Sequence, residues 1–404
     1  MIVHDLKQAF VNDHLFRKVT YVSGALLICK LLALILLPIT PHAIEDWYIA
    51  NNIVDGNGYS LSLGPTALKT PVYPLFLLPF ALLKEQGLPL ASAVQHLLWF
   101  ISVPMFMRAC ALRFNATFAL LAGVIFALHP AYGYYPFVLE STALTVPLFI
   151  GYWYASELYH SKQEQPFSIM MLGWIVGLCQ PILLPAIIMF QLFFSLKFKK
   201  SAFISLLMSA LIVFTPWTIR NALTFHAFIP MKSPMWMNFY EGMTASLNQS
   251  DIVFIESSRK NVNDVNMEPI YKQIVVKRVI THWDEYISQS LHRMKEFWLI
   301  PDRHANNMFE PRVLISRVLP QVILLLTTLA TCLIIMTKGI HNNQKTIILL
   351  MIGTLLYVSL IYAMTQAANI RFKLDIEWLQ IVLLYPIFQV FTEHHKAKGT
   401  TSGK

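Results

Sequence analysis

Apolar positions in this chain come as long, nearly unbroken runs. They occupy roughly 21–40, 90–108, 114–129 and 138–158, then a broken pair near 167–180 and 182–197, then 201–216, 313–337, 346–364 and 374–392. A helix needs about 20 mainly apolar residues to cross a bilayer, so the pattern predicts about ten crossings. Two longer stretches separate the runs. The first, 41–89, mixes acids, aromatics and glycines. The second, 217–312, shows amphipathic spacing from Glu268 to Trp298, with Ile270, Ile274, Val275, Val279, Ile287, Leu291, Met294 and Trp298 apolar.

The fold class expected is therefore an all-α polytopic membrane protein with three parts. Residues 1–216 form an N-terminal membrane module that includes the 41–89 loop, 217–312 a helical loop region, and 313–404 the C-terminal membrane helices with a short basic tail. Composition agrees, since 56% of the 404 residues are hydrophobic and only 13% are charged, against about 25% charged in soluble domains.

The charge of +9 is spread over short connections, which excludes a concentrated nucleic-acid patch. Lys7, Arg17 and Lys18, then Arg108 and Arg113, His160 and Lys162, and Lys197, Lys199 and Lys200 all fall on one side of the alternating runs. Lys338, Lys345, Lys396 and Lys398 continue that side. By the positive-inside rule this side and both termini face the cytoplasm, which puts the two long loops outside.

Cys29, Cys110, Cys179 and Cys332 lie in apolar runs without CxxC spacing, which indicates small hydrophobes rather than a zinc site or disulfide framework. The first run lacks a clear small-residue cleavage site. The absence of an internal repeat counts against a transporter built from two related halves. Thirteen histidines show no HExxH or other ligand spacing, so no dedicated metal or other cofactor is expected, although a divalent ion is compatible with the acids. Asn248-Gln249-Ser250 matches a glycosylation sequon, a weak signal.

The candidate chemistry sits in Ile44–Pro79, "IEDWYIANNIVDGNGYSLSLGPTALKTPVYPLFLLP". It places Glu45 and Asp46 where the chain leaves the first run, and charge at a membrane boundary usually marks function.

This segment and later ones resemble the GT-C class of polyprenyl-phosphate-sugar glycosyltransferases, whose relatives include protein mannosyltransferases and lipid A aminoarabinose transferases. "IEDWYIANNIVDGNGYS" is similar to the acidic juxtamembrane helix after the first span of that class, and "ALKTPVYPLFLLPF" to the start of a second juxtamembrane helix. "HPAYGYYPFVLEST" resembles the Glu-bearing start of span four. "GLCQPILLP", "PWTIRNALTFHAFIP", "VITHWDEYISQSLHRMKEFW" and "NIRFKLDIEWL" follow in the expected order. Gln180 stands where many relatives have arginine before proline, and Leu374-Asp375 replaces a proline often found after the basic pair. The acid pair also lies closer to Tyr48 than in several relatives.

The resemblance implies transfer of a sugar from a polyprenyl-phosphate donor to a lipid, glycan or protein acceptor on the non-cytoplasmic face, in a bacterial plasma membrane and with inversion. Membrane lipids are the remaining partners, and nucleic acid is not one. Such transfer needs a base for the acceptor hydroxyl and cations for the phosphate leaving group.

Asp46 is the expected base and Glu45 a sugar or acceptor ligand, since adjacent helical residues point about 100° apart and only one should face the reaction. The alternative is that both acids solvate an interfacial helix. Glu140 either orients the reacting groups, binds acceptor or a metal, or pairs with a nearby base. Lys69, Arg371 and Lys373 are the phosphate candidates, with snorkelling the alternative for Lys373. Tyr48, Tyr59 and Tyr73, like Trp47, either stack on sugar or belong to an interfacial aromatic belt. Arg220 either reaches the donor or anchors its loop. Two rival functions are a transporter or flippase and an inactive, lipid-binding relative.

Overall fold

A computed structural model describes the backbone of residues 1–37, 40–62, 64–160, 166–195, 200–243, 252–255, 257, 263–299, 310–337, 342–365 and 370–401, and their side chains except at 200–201, 312, 342–343, 370–371 and 394–401. The sequon at Asn248 lies outside the described residues.

Among the described residues the molecule is built of helices, with two short strand pairs. The N-terminal part comprises α1 (Ile2–Asn12), α2 (His14–Leu36), α3 (Glu45–Val54), α4 (Val72–Ala81), α5 (Gly87–Arg113), α6 (Ala116–Leu128), α7 (Pro130–Tyr134) and α8 (Thr142–His160). Next come α9 (Phe167–Cys179), α10 (Leu184–Ser195) and α11 (Lys200–Phe225). The second loop region holds α12 (Met235–Met243), α13 (Asp264–Thr281) and α14 (Trp283–Trp298). The chain closes with α15 (Leu319–Thr337), α16 (Asn342–Thr365), α17 (Ile370–Val382) and α18 (Tyr385–Thr401).

Six described helices are long and apolar enough to cross a membrane: His14–Leu36, Lys84–Arg113, Ala202–Phe225, Leu314–Thr337, Gln344–Thr365 and Phe372–Glu393. A seventh crossing arises if Ala116–Leu128 and Pro130–Phe137, bent by 52°, count as one. Three expected runs fall short of that standard. α8 dilutes its apolar residues with Pro147, threonines and Glu157. α9 and α10, of 13 and 12 residues, are about 18–20 Å long at 1.5 Å per residue, against about 30 Å of hydrocarbon. The break comes where Pro181, lacking a backbone N–H, opens a short 3-10 turn.

α5 packs between α2, α6 and α8, and α17 lies against α8 and α6. Aromatic rings fill the interior. Trp378 of α17 lies 5.4 Å from Trp153 and 5.1 Å edge-on from Phe149. Arg108 and Arg113 point at acids. Arg108 holds Asp5 of α1 at 2.7 Å, and Arg113 holds Glu157 at 2.5 Å with both side chains buried. Trp153 also donates to Glu157.

The second loop region departs from its expected burial. Met267, Tyr271, Ile274 and Val275 of α13 are buried as the spacing requires. In α14, however, Ile287 and Leu291 are exposed, and the helix turns Arg293 and Phe297 inward. Arg293 donates to the carbonyls of Ala363 and Gly242, and Tyr286 to that of Met364. Polar anchoring to the last turn of α16 therefore decides which face of α14 is inside. Ile280, Trp283, Ile287 and Leu291 are left as an exposed apolar stripe.

Candidate functional site: an acid and lysine cavity

Two local devices bring distant chain segments together at the end of the bundle where α2 finishes. Strand β1 (His42–Ala43) pairs in parallel with β4 (Val138–Leu139), matching His42 to Val138 and Ala43 to Leu139. This sets the start of α3 beside the residue after β4, Glu140. The hairpin of β2 (Ser60–Leu61) and β3 (Gly64–Pro65) then returns the chain toward α3, after a turn in which Gly56 and Gly58 take positive φ values of 81° and 68°. Thr70 Oγ1 donates to the carbonyl of Cys179 at 3.2 Å, fastening the Lys69 segment to the end of α9.

The result is a cavity of about 430 Å³. Its walls carry Glu45, Asp46, Lys69, Glu140, Lys232 and Glu241. Lys69 Nζ lies 3.5 Å from Glu45 Oε2 and 3.6 Å from Asp46 Oδ2. Glu45 is half exposed and Asp46 is buried. Both acids occupy the first turn of α3, where the helix dipole favours negative charge, and α3 packs Trp47, Ile49 and Ala50 inward. Both acids nevertheless line the cavity and share Lys69. The 100° between them is spanned by a lysine sitting across the helix start. Tyr135 donates to Glu140, so the second acid is held by its own loop.

The other sequence candidates divide clearly. Tyr59 donates to the carbonyls of Lys69 and Thr70, at 3.1 and 3.0 Å, and burial pushes its phenol well above the usual range, so it stays a donor. Tyr73 is buried and donates to Gln95. Tyr48 is 57% exposed. Trp47 packs into the α3–α4 core. None of these four aromatics lines the cavity; they support it or face away.

Lys373 also lies elsewhere. It is buried, donates to Gln321 and sits 5.5 Å from the Trp298 ring. The interior partner, rather than the interface, sets its place. The side chain of Arg371 lies outside the described residues.

Arg220 anchors. Its guanidinium donates at 2.8 Å to the carbonyls of both Thr66 and Tyr59 and stacks 5.1 Å from the Tyr59 ring. Asn221 donates to Ile229, and Trp217 to Met231. Ser233 donates its N–H to Ala67 at 2.9 Å, and Asp264 accepts from Thr66, Ala67 and Ser233. Together these bonds hold the loop that presents Lys232.

Lys232, like Glu241, is a cavity residue that sequence reading missed. The Lys232 side chain is exposed at the wall of the cavity, which Lys69 and the acids also line. The protein mass around the cavity, which desolvates the ammonium, and the charge of Lys69 lower its amine to about 8. "MKSP" matches no motif, so the only signal available was a lysine in the second loop.

At the cavity floor, where α9 breaks, Gln180 donates to Asp375 of α17 at 2.5 Å. No group of three or more His, Cys, Asp or Glu suited to a metal ion occurs among the described residues. Chemically, the cavity offers a buried carboxylate able to accept a proton and two ammonium groups able to hold an anion. No family model matches the chain, and no curated protein matches it.

Proposed function

We propose that the chain is a membrane glycosyltransferase that moves a sugar from a polyprenyl-phosphate donor to a lipid, glycan or protein acceptor on the non-cytoplasmic face. The observation that carries the reading is Asp46, buried on the cavity wall and 3.6 Å from Lys69. Lys69 bridges the two acids and offsets one of their two negative charges. A donor phosphate competes for Lys69 and, with Lys232, receives the charge that develops as the glycosidic bond breaks. Asp46 then takes the acceptor hydroxyl proton as that oxygen attacks the anomeric carbon. One displacement without a covalent sugar–enzyme intermediate inverts the centre. Glu45 and Glu140 are placed to bind sugar or acceptor hydroxyls. Arg371, on the chain just before the last long apolar helix, remains a third phosphate candidate.

The same reading takes the ten-crossing topology with both termini in the cytoplasm, in a bacterial plasma membrane. α9 and α10 then serve as short crossings beside the cavity.

A second reading, a lipid or solute transporter, is favoured by one feature: the helix break at Gln180-Pro181, which borders the cavity as discontinuous helices do in transporters. Purified protein given polyprenyl-phosphate sugars and candidate acceptors separates the two. Transfer should release polyprenyl phosphate, and Asp46→Asn should stop it. Movement of labelled lipid across a vesicle bilayer without sugar release would sink the transferase reading.

A further inference from the structure

A second polar site lies outside this cavity, in the apolar part of the bundle. Lys30 is a lysine inside α2, six residues before that helix ends at Leu36, or about 9 Å along the axis. It borders a cleft of about 40 Å³ between α2, α5 and the α6–α7 bend, shared with His96, Trp99, Tyr132 and Gly133. Roughly 10–15 Å³ of such space holds one water, so the cleft takes about three water-sized groups, enough for the hydroxyl end of a headgroup whose phosphate stays at the mouth with Lys30.

Three observations mark it as a site built for a ligand. A lysine within an apolar span is costly and usually functional, and Lys30 has no hydrogen-bond or ion-pair partner among the described residues. His96 is 2% exposed, and its Nε2 also has no partner. Its Nδ1 lies 2.8 Å from the Ser92 carbonyl, which only accepts. Nδ1 therefore carries the proton, and the neutral ring offers Nε2 as a buried acceptor. Thirdly, Gly133 brings bare backbone beside the ammonium: a Cβ there would meet Lys30 Nζ at 3.5 Å. The cleft thus presents one cation and one hydrogen-bond acceptor.

The matching ligand carries an anionic oxygen beside a hydroxyl. Lipid is the source indicated by the surroundings, because α2 is peripheral and its Ile28, Leu32, Ile35 and Leu36 are exposed. We propose that Lys30 and His96 hold the headgroup of an anionic phospholipid from the leaflet on the cavity side, with the phosphate on Lys30 and a headgroup hydroxyl donating to His96 Nε2. Phosphatidylglycerol has both groups. Phosphatidylethanol has the same phosphate diester and no hydroxyl, so it isolates the second contact. The site is independent of sugar transfer.

Native mass spectrometry of the full-length protein, released from detergent with each lipid added, tests the assignment. The intact protein should retain phosphatidylglycerol at least tenfold better than Lys30→Met does, and Lys30→Arg should restore retention. Phosphatidylethanol should bind several-fold less well than phosphatidylglycerol, and His96→Phe should erase that difference. Asp46→Asn should bind like the parent, so loss of transfer and loss of lipid retention are separate results. Equal retention by Lys30→Met would overturn the proposal and leave Lys30 as a lysine that merely reaches toward the interface. Displacement of the lipid by inorganic phosphate at equal concentration would overturn the lipid assignment in favour of a water-borne anion.

Discussion

Gln180 and Asp375, 195 residues apart in the chain, meet at 2.5 Å beneath the cavity. Both depart from the GT-C pattern noted in the sequence, one where arginine is frequent and the other where proline is. A neutral amide now faces a buried carboxylate across the α9 break. Removing one side of a buried hydrogen bond costs about 1–3 kcal/mol. Gln180→Leu should therefore lower the unfolding midpoint measured in detergent, whereas Gln180→Arg, which restores a charged donor, should keep or raise it.

Asp46→Asn keeps the size of the side chain and removes its ability to take a proton. A positioned base contributes roughly 10²–10⁴-fold. Turnover should fall within that range while donor binding, measured by lipid-phosphate titration, changes little. Glu45→Gln should lose less, because Glu45 is half exposed whereas Asp46 is buried.

Lys232 should make donor binding depend on pH. Its amine is lowered to about 8, so it is an ammonium below that pH and neutral above it. A phosphate ligand favours the ammonium form. Donor affinity should accordingly be full near pH 7 and fall as pH rises through 8 toward 9. Lys232→Arg, which stays charged throughout, should flatten that decline in a donor titration. An unchanged slope would remove Lys232 from the phosphate contact.

Arg220→Ala removes the bridge between the carbonyls of Thr66 and Tyr59. Faster hydrogen exchange is expected in 59–67 and 226–234, with weaker donor binding although Arg220 does not line the cavity. Arg220→Lys should recover little, because one ammonium cannot reproduce two parallel donors on a planar fork.

Breaking the buried Arg113–Glu157 pair should be more damaging. Arg113→Met strands a carboxylate that Trp153 alone cannot satisfy, a loss of about 3–5 kcal/mol. The double variant Arg113→Met/Glu157→Gln should recover most of it, checked by the same unfolding midpoints.

The helical class and the polar cluster could be read from residue order because both depend on local facts. Long apolar runs form helices wherever they lie, and Glu45, Asp46 and Lys69 sit within one loop whose hairpin folds back on itself. Glu140 joined them because its acid follows a short strand. The other aromatic and basic candidates depend on partners that the order of residues does not reveal. Tyr59, Tyr73 and Lys373 look like ligand-facing groups in one dimension, yet each is turned by a partner: the Lys69 carbonyl, Gln95 and Gln321. Lys232 escaped notice for the opposite reason. Its own neighbours are unremarkable, and its position comes from Arg220, Trp217 and Asp264, none of which reads as a scaffold until the loops are docked. The face of α14 was misjudged because Arg293, a charge, is the residue turned inward.

The parallel bridge between 42–43 and 138–139 also bears on the order in which the protein is made. A growing chain that has emerged only to α3 carries its acid pair with no opposite wall. The wall with Glu140 arrives after α5 and α6 have been threaded, the Gln180 turn later, and Asp375 with the final long helix. A chain stalled before residue 370 would thus present to the quality-control machinery a half-built chamber, with Gln180 and the acid pair open to solvent. Cellular proteases should clear such truncations faster than the finished protein.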